Sequence, residues 1–126
     1  MLSNLSVTKL KISFNAEGLH EASLNEEQKV TIYRIVQEQL NNVLKHAQAS
    51  SVNIQLNTAG DHVNLLIEDN GKGFDTNAQR KGIGITNIIS RAELFNGKVK
   101  IDSSPGNGCR LEVILDTKAH EAQAAA

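Results

Sequence analysis

A chain of 126 residues is the size of one ordinary domain and is long enough to bury a real core. With 40% hydrophobic and 21% charged residues and a formal net charge of -1, it has the composition of a globular protein, which argues against a disordered or collagen-like chain and offers no basic cluster for a nucleic-acid backbone. The single cysteine, Cys109, allows no internal disulfide, no Cys/His group has zinc-ligand spacing, and no apolar run approaches the roughly 20 residues needed to span a bilayer.

In chain order, residues 9–15 alternate polar and apolar, with Leu10, Ile12 and Phe14 on one face, which predicts a half-buried first strand. From about Asn25, a plausible N-cap, to His46 the period changes, and Ile32, Ile35, Val36, Leu40, Val43, Leu44 and Ala47 form one stripe at helical spacing. Val52, Ile54 and Leu56, then an Ala59-Gly60-Asp61 turn, then Val63, Leu65 and Ile67 read as a β-hairpin. Phe74 to Lys81 is mostly polar and reads as a mobile loop able to close over a ligand. Ile85, Ile88, Ile89, Ala92 and Phe95 predict a second amphipathic helix, stopped by Asn96-Gly97. Strands over 98–102 and 109–116 follow, joined by a Ser103 to Gly108 turn, and the tail after Lys118 reads as a frayed end. The order strand, helix, hairpin, loop, helix, hairpin predicts an α+β two-layer sandwich in one domain, with a mixed, mainly antiparallel sheet and helices on one face.

Six of the nine glycines fall in Gly-x-Gly pairs, Gly71/Gly73, Gly82/Gly84 and Gly106/Gly108. Such spacing lets backbone amides approach a ligand with no Cβ in the way, so a phosphate-bearing ligand is the first expectation. Asp69 ends the third strand directly ahead of the first pair, where its carboxylate would accept a hydrogen bond from the exocyclic amine of adenine and disfavour guanine. Asp-Asn-Gly also serves simply to end a strand. Gly82 and Gly84 precede the second helix, whose free amides and dipole favour phosphate. On the first helix a wheel puts Glu38, Asn42 and Lys45 together, opposite the apolar stripe. There the Asn42 amide oxygen would ligate Mg²⁺, Lys45 would meet phosphate charge, and Glu38 would orient or deprotonate a nucleophile. The same face also reads as an ordinary solvated helix surface. No Gly-x-x-x-x-Gly-Lys-Ser/Thr, no Rossmann fingerprint and no Gly-x-Ser-x-Gly occurs. The four histidines, His20, His46, His62 and His120, are far apart and read as surface or packing residues.

Taken together, Glu38-x-x-x-Asn42-x-x-Lys45, Asp69-x-Gly71-x-Gly73, Gly82-x-Gly84 and Gly106-x-Gly108 resemble the N box and G boxes of the ATPase superfamily of gyrase, heat-shock ATPases, sensor histidine kinases and mismatch-repair proteins. The run from Ile32 through Glu38 and Asn42 to Ala47 is specifically similar to the catalytic domain of two-component histidine kinases of the nitrate-sensor and degradative-enzyme-sensor type. The resemblance spans residues 9–116. It implies a Bergerat-type sandwich that binds ATP and Mg²⁺, with Asn42 on the metal, Asp69 on adenine, Glu38 and Lys45 near the phosphates, Gly71, Gly73, Gly82, Gly84 and Ile85 around the nucleotide, and residues 74–81 as a short lid. Where the family often has threonine after the last glycine pair, this chain has Cys109.

The phosphoacceptor histidine of such kinases stands on a helical dimerisation domain, which nothing ahead of Val7 supplies, and His46 belongs to the family's own Lys-His-Ala ending. The resemblance therefore implies a protein histidine kinase catalytic domain that binds ATP yet does not complete autophosphorylation alone. Its partners would be that helical domain and, indirectly, a response regulator, with no nucleic acid and no membrane contact by this segment. A cytoplasmic location is expected, membrane anchoring of the parent kinase being left open. An anti-sigma-factor serine kinase of the same fold and a non-catalytic interaction domain are the alternative readings, and the longer lid and transducer domain of a gyrase or mismatch-repair ATPase are not in evidence.

Overall fold

The computed structural model describes residues 10–75 and 85–117. A five-stranded sheet of order β1-β2-β3-β5-β4 carries the chain: β1 (Lys11–Asn15), β2 (Ser51–Ala59), β3 (His62–Asp69), β4 (Lys98–Ser103) and β5 (Cys109–Asp116). β1 runs parallel to β2, and every other neighbouring pair is antiparallel. Helices α1 (Glu26–Asn42) and α2 (Ile85–Glu93) form the second layer.

Alternation along the three central strands builds the interface between the layers. Val52, Ile54 and Leu56 of β2, Val63, Leu65 and Ile67 of β3, and Leu111, Val113 and Leu115 of β5 are all buried. The opposite face carries Asn53, Gln55, Glu68 and Arg110, the last two joined as a cross-strand ion pair at 3.3 Å. Ile32 and Ile35 of α1, Ile85, Ile88 and Ala92 of α2, and Phe95 close the core.

Local chemistry sets the helix ends. Asn25 caps α1 in a full capping box: its side chain accepts from the Gln28 N–H while the Gln28 side chain accepts from the Asn25 N–H. The wholly buried Gln28 amide also donates to the carbonyls of Asp116 and Thr117, tying the helix start to the end of β5. α2 ends as its Asn96-Gly97 signal predicts: Asn96 adopts a left-handed φ of 54°, Gly97 N–H bonds the Ala92 carbonyl and Asn96 N–H that of Glu93, the two bonds of a Schellman motif.

Two expectations are corrected. Ile12 and Phe14 are 53% and 61% exposed, because β1 is the edge of the sheet and the helices pack chiefly over β3, β4 and β5. Only Leu10, just ahead of the strand, packs against the core. The long helix is also not one α-helix: after Asn42 it widens into a π turn, Val43–Ala47, closed by Gln48 at a left-handed φ of 52°. Leu44, placed on the apolar stripe by strict helical spacing, is consequently 58% exposed.

Candidate functional site

A cavity of about 190 Å³ opens at one end of the sandwich, where the end of α1 and its π turn meet the end of β3, the start of β5 and the start of α2. Val43, Ala47, Phe74 and Ile85 supply apolar wall, and Gln39, Asn42, His46, Asp69, Lys72, Gly73 and Cys109 complete it. An apolar slot with few convergent polar groups is the usual form of a small-molecule site.

Asp69 is the last residue of β3 and stands opposite Cys109, the first of β5, in the strand register. Its Oδ1 accepts the Gly71 N–H at 2.8 Å, which fixes the carboxylate above the turn. Burial raises the Asp69 pKa above the ordinary 3.8, and the Gly71 hydrogen bond opposes that rise. Burial, with the Asp69 charge second, pushes the Cys109 thiol up to about 11, so it is protonated at neutral pH and a poor nucleophile.

The first glycine pair is built for close backbone approach. A Cβ on Gly71 would overlap the Ala47 carbonyl, and one on Gly73, at φ 66°, would overlap that of Ser104. Three strands of hydrogen bonding lock the turn in place. Lys72 N–H donates to the Ala47 carbonyl at 2.7 Å and Gly106 N–H to that of Lys72 at 2.6 Å, while Ser103 Oγ accepts from Phe74 N–H and donates to the Gly108 carbonyl. On the other side Asn70 Oδ1 accepts from the N–H groups of Ser50 and Ser51. The last glycine pair thus buttresses the first.

Of the residues singled out from sequence, Asn42, Asp69, Gly73 and Ile85 come together around this cavity. Gly71 stands behind it, its amide spent on Asp69. Glu38, on α1, is half-buried and Lys45, in the π turn, is exposed, and neither belongs to the cavity wall. Gly82, Gly84 and the loop over 76–81 lie outside the described residues. The wheel put Asn42 opposite the apolar stripe, but the buried face is rotated toward Gln28, Thr31 and Gln39, so Asn42 sits half-buried at its border. Two wall residues went unnoticed in the sequence. Lys72 hid inside the glycine turn, and Gln39 looked like one more polar helix residue, although its place four residues after Ile35 and four before Val43 marks the buried face.

Residues 27–119 match the family described as histidine kinase-, DNA gyrase B- and HSP90-like ATPases. Among curated proteins, the chain is 36% identical over 97 residues to the signal transduction histidine-protein kinase/phosphatase UhpB of Salmonella typhimurium, a match covering 77% of this chain and 19% of that protein. It is 33% identical over 105 residues to the kinase/phosphatase DegS of Bacillus subtilis, covering 79% of this chain and 27% of DegS. The chain thus spans about a fifth to a quarter of these relatives. Among solved structures, the blue-light activated histidine kinase of Erythrobacter litoralis superimposes with a TM-score of 0.70 at 19% identity, over 86% of this chain and 36% of that one. The histidine kinase AdeS of Acinetobacter baumannii does so at 0.71 and 14%, over 93% and 59%. The shared fold is the Bergerat sandwich of histidine kinase ATPase domains.

Proposed function

Because the chain belongs to the family of histidine kinase-, DNA gyrase B- and HSP90-like ATPases, we propose that its cavity binds Mg-ATP and presents the γ-phosphoryl group for transfer to a histidine in a two-component sensor kinase. The observation that carries this reading is the Asp69 carboxylate, held by the Gly71 N–H at the mouth of an apolar slot, with Asn42 on the facing helix. A planar base is assigned to the slot that Val43 and Ile85 help to line, where an acceptor-only carboxylate would select an exocyclic amine, hence adenine over guanine.

The residues also suit a divalent cation. Asn42 donates its Nδ2 to Gln39 Oε1 at 3.1 Å, which leaves the amide oxygen as the group's atom for a hard ion. Mg²⁺ would be held by Asn42 together with the nucleotide's phosphates. When bound it neutralises phosphate charge during transfer. Lys72 at the wall and Lys45 beyond it add positive charge on the phosphate side. Glu38 is assigned to orient or deprotonate the incoming imidazole. Gly82 and Gly84, directly ahead of α2 in sequence, are assigned to phosphate through their amides.

In the transfer, the acceptor imidazole nitrogen forms a bond to the γ-phosphorus as the bond to the β-bridging oxygen breaks, and ADP leaves. The acceptor histidine is assigned to a helical dimerisation domain outside these 126 residues, with a response regulator downstream and a cytoplasmic location. His46 at the cavity wall is not assigned as the acceptor.

The test is isothermal titration of the chain with ATP and with GTP, with and without Mg²⁺, for the wild type and Asp69→Asn. ATP is expected to bind in preference to GTP, and the substitution to weaken ATP by about tenfold or more, the worth of a hydrogen bond to a charged group. Absence of binding at about a millimolar nucleotide, a free energy near 4 kcal/mol, would sink the reading.

A further inference from the structure

We propose that Gln39 is a positioning residue for the metal side of the cavity, holding the Asn42 amide with its oxygen turned toward the ligand. The inference rests on the nucleotide reading above and goes beyond it in naming what sets the geometry of the ligand atom.

Gln39 is only 3% exposed, on the buried face of α1 between Ile35 and Val43. A primary amide in that position costs stability unless both of its ends find partners. Both partners are cavity groups. Its Nε2 donates to Cys109 Sγ at 3.9 Å, and its Oε1 accepts from Asn42 Nδ2 at 3.1 Å. Cys109 is fixed in turn by strand register beside Asp69. A single buried side chain therefore bridges the base-reading end and the metal end.

The direction of the Asn42 bond gives the bridge its consequence. An asparagine amide is an acceptor at one end and a double donor at the other, and only the oxygen end can meet a cation. Gln39 Oε1 engages the donor end, so the oxygen is left for the ion. Turned over, Asn42 would present two N–H groups to the ion and no lone pair. Donation to Gln39 also polarises the amide and makes its oxygen a better ligand. Packing alone does not need this arrangement, since a methionine would fill the same space.

The experiment compares the ratio of ATP affinities with and without Mg²⁺ in the wild type, Gln39→Met and Gln39→Glu, so that any change common to both conditions cancels. Gln39→Met is expected to cut the Mg²⁺ enhancement by about fivefold, the worth of one ordinary hydrogen bond. Gln39→Glu keeps an acceptor for Asn42 Nδ2 and is expected to retain the enhancement. A wild-type ratio in Gln39→Met overturns the inference, as does a loss shared equally by Gln39→Glu. Wild-type chain that binds nucleotide with no Mg²⁺ enhancement overturns the inference alone, whereas wild-type chain that binds no nucleotide removes the functional reading with it. A measurement on the unmodified side chain guards against variants that do not fold. The Asn42 side-chain N–H₂ protons, identified by their disappearance in Asn42→Asp, are expected to exchange with solvent more slowly than those of an exposed asparagine in the same nuclear magnetic resonance spectrum. Exchange at the exposed rate overturns the proposal.

Discussion

Asp69 carries a charge in a place that disfavours it. Its folded pKa is raised by burial, so between the ordinary 3.8 and the folded value the native chain binds more protons than the unfolded one, and stability falls as pH rises through that window. Above the window the carboxylate is a net cost to the free protein. Asp69→Asn retains an acceptor for the Gly71 N–H and removes the charge. At pH 7 the ligand-free variant is therefore expected to melt at or above the wild-type temperature while binding ATP more weakly. Thermal unfolding across pH 3 to 8 checks this, the wild type losing the added stability as pH rises and the variant lacking that dependence. A variant clearly less stable than wild type at pH 7 would show that the charge serves the fold instead.

At the scale of elements, the two ends of α1 do different work. The start is structural: Asn25→Ala removes one half of the capping box and is expected to cost about 1 kcal/mol in chemical denaturation, with nucleotide affinity unchanged. The far end lines the cavity. There the π turn places the Ala47 carbonyl where Lys72 N–H reaches it, and leaves no room for a Cβ at Gly71. Gly71→Ala is expected to cost roughly 1–3 kcal/mol in the same assay through overpacking against a fixed backbone. It is also expected to weaken ATP binding, because the turn it displaces orients Asp69. A Gly71→Ala chain with wild-type affinity would separate the turn from the carboxylate. The hairpin from β2 to β3 needed no such tertiary partner to be read. Gly60, at φ 61°, supplies the turn, and strict alternation supplies the register.

For the whole molecule, the cavity is closed by pieces far apart in the chain, so a ligand that fills it couples them. Binding to the native state alone stabilises by mass action, about 2.7 kcal/mol at a ligand concentration a hundred times Kd. For a domain of this size that corresponds to a melting shift of about 10 °C. Scanning fluorimetry of the chain with Mg-ATP at that ratio is expected to show the shift, and Asp69→Asn, with its tenfold or greater loss of affinity, to lose about half of it or more at the same ATP concentration. A binding event in titration with no melting shift would mean that the unfolded chain binds the nucleotide as well as the native one does, and so that the folded cavity is not what holds it.

Period and punctuation along the chain determined the elements. A two-residue repeat puts alternate side chains on one face of a strand whatever lies against it, and Asn25, Gly60 and Asn96-Gly97 satisfy or bend the backbone through contacts within a few residues. The Asp69 to Gly73 turn and Asn42 were legible for the same reason, as local patterns. What only the tertiary structure decided depends on which element ends up beside which. Ile12 and Phe14 have the pattern of a covered strand, but their strand lies at the edge of the sheet. Gln39 has buried-face spacing, but which groups meet its amide, Cys109 on one side and Asn42 on the other, is set by the fold. Gly106 and Gly108 look like ligand contacts, and the fold turns them into a buttress for the first glycine turn. Sequence spacing fixes which residues share a face, but the neighbour of that face is a long-range choice made by packing of the whole core.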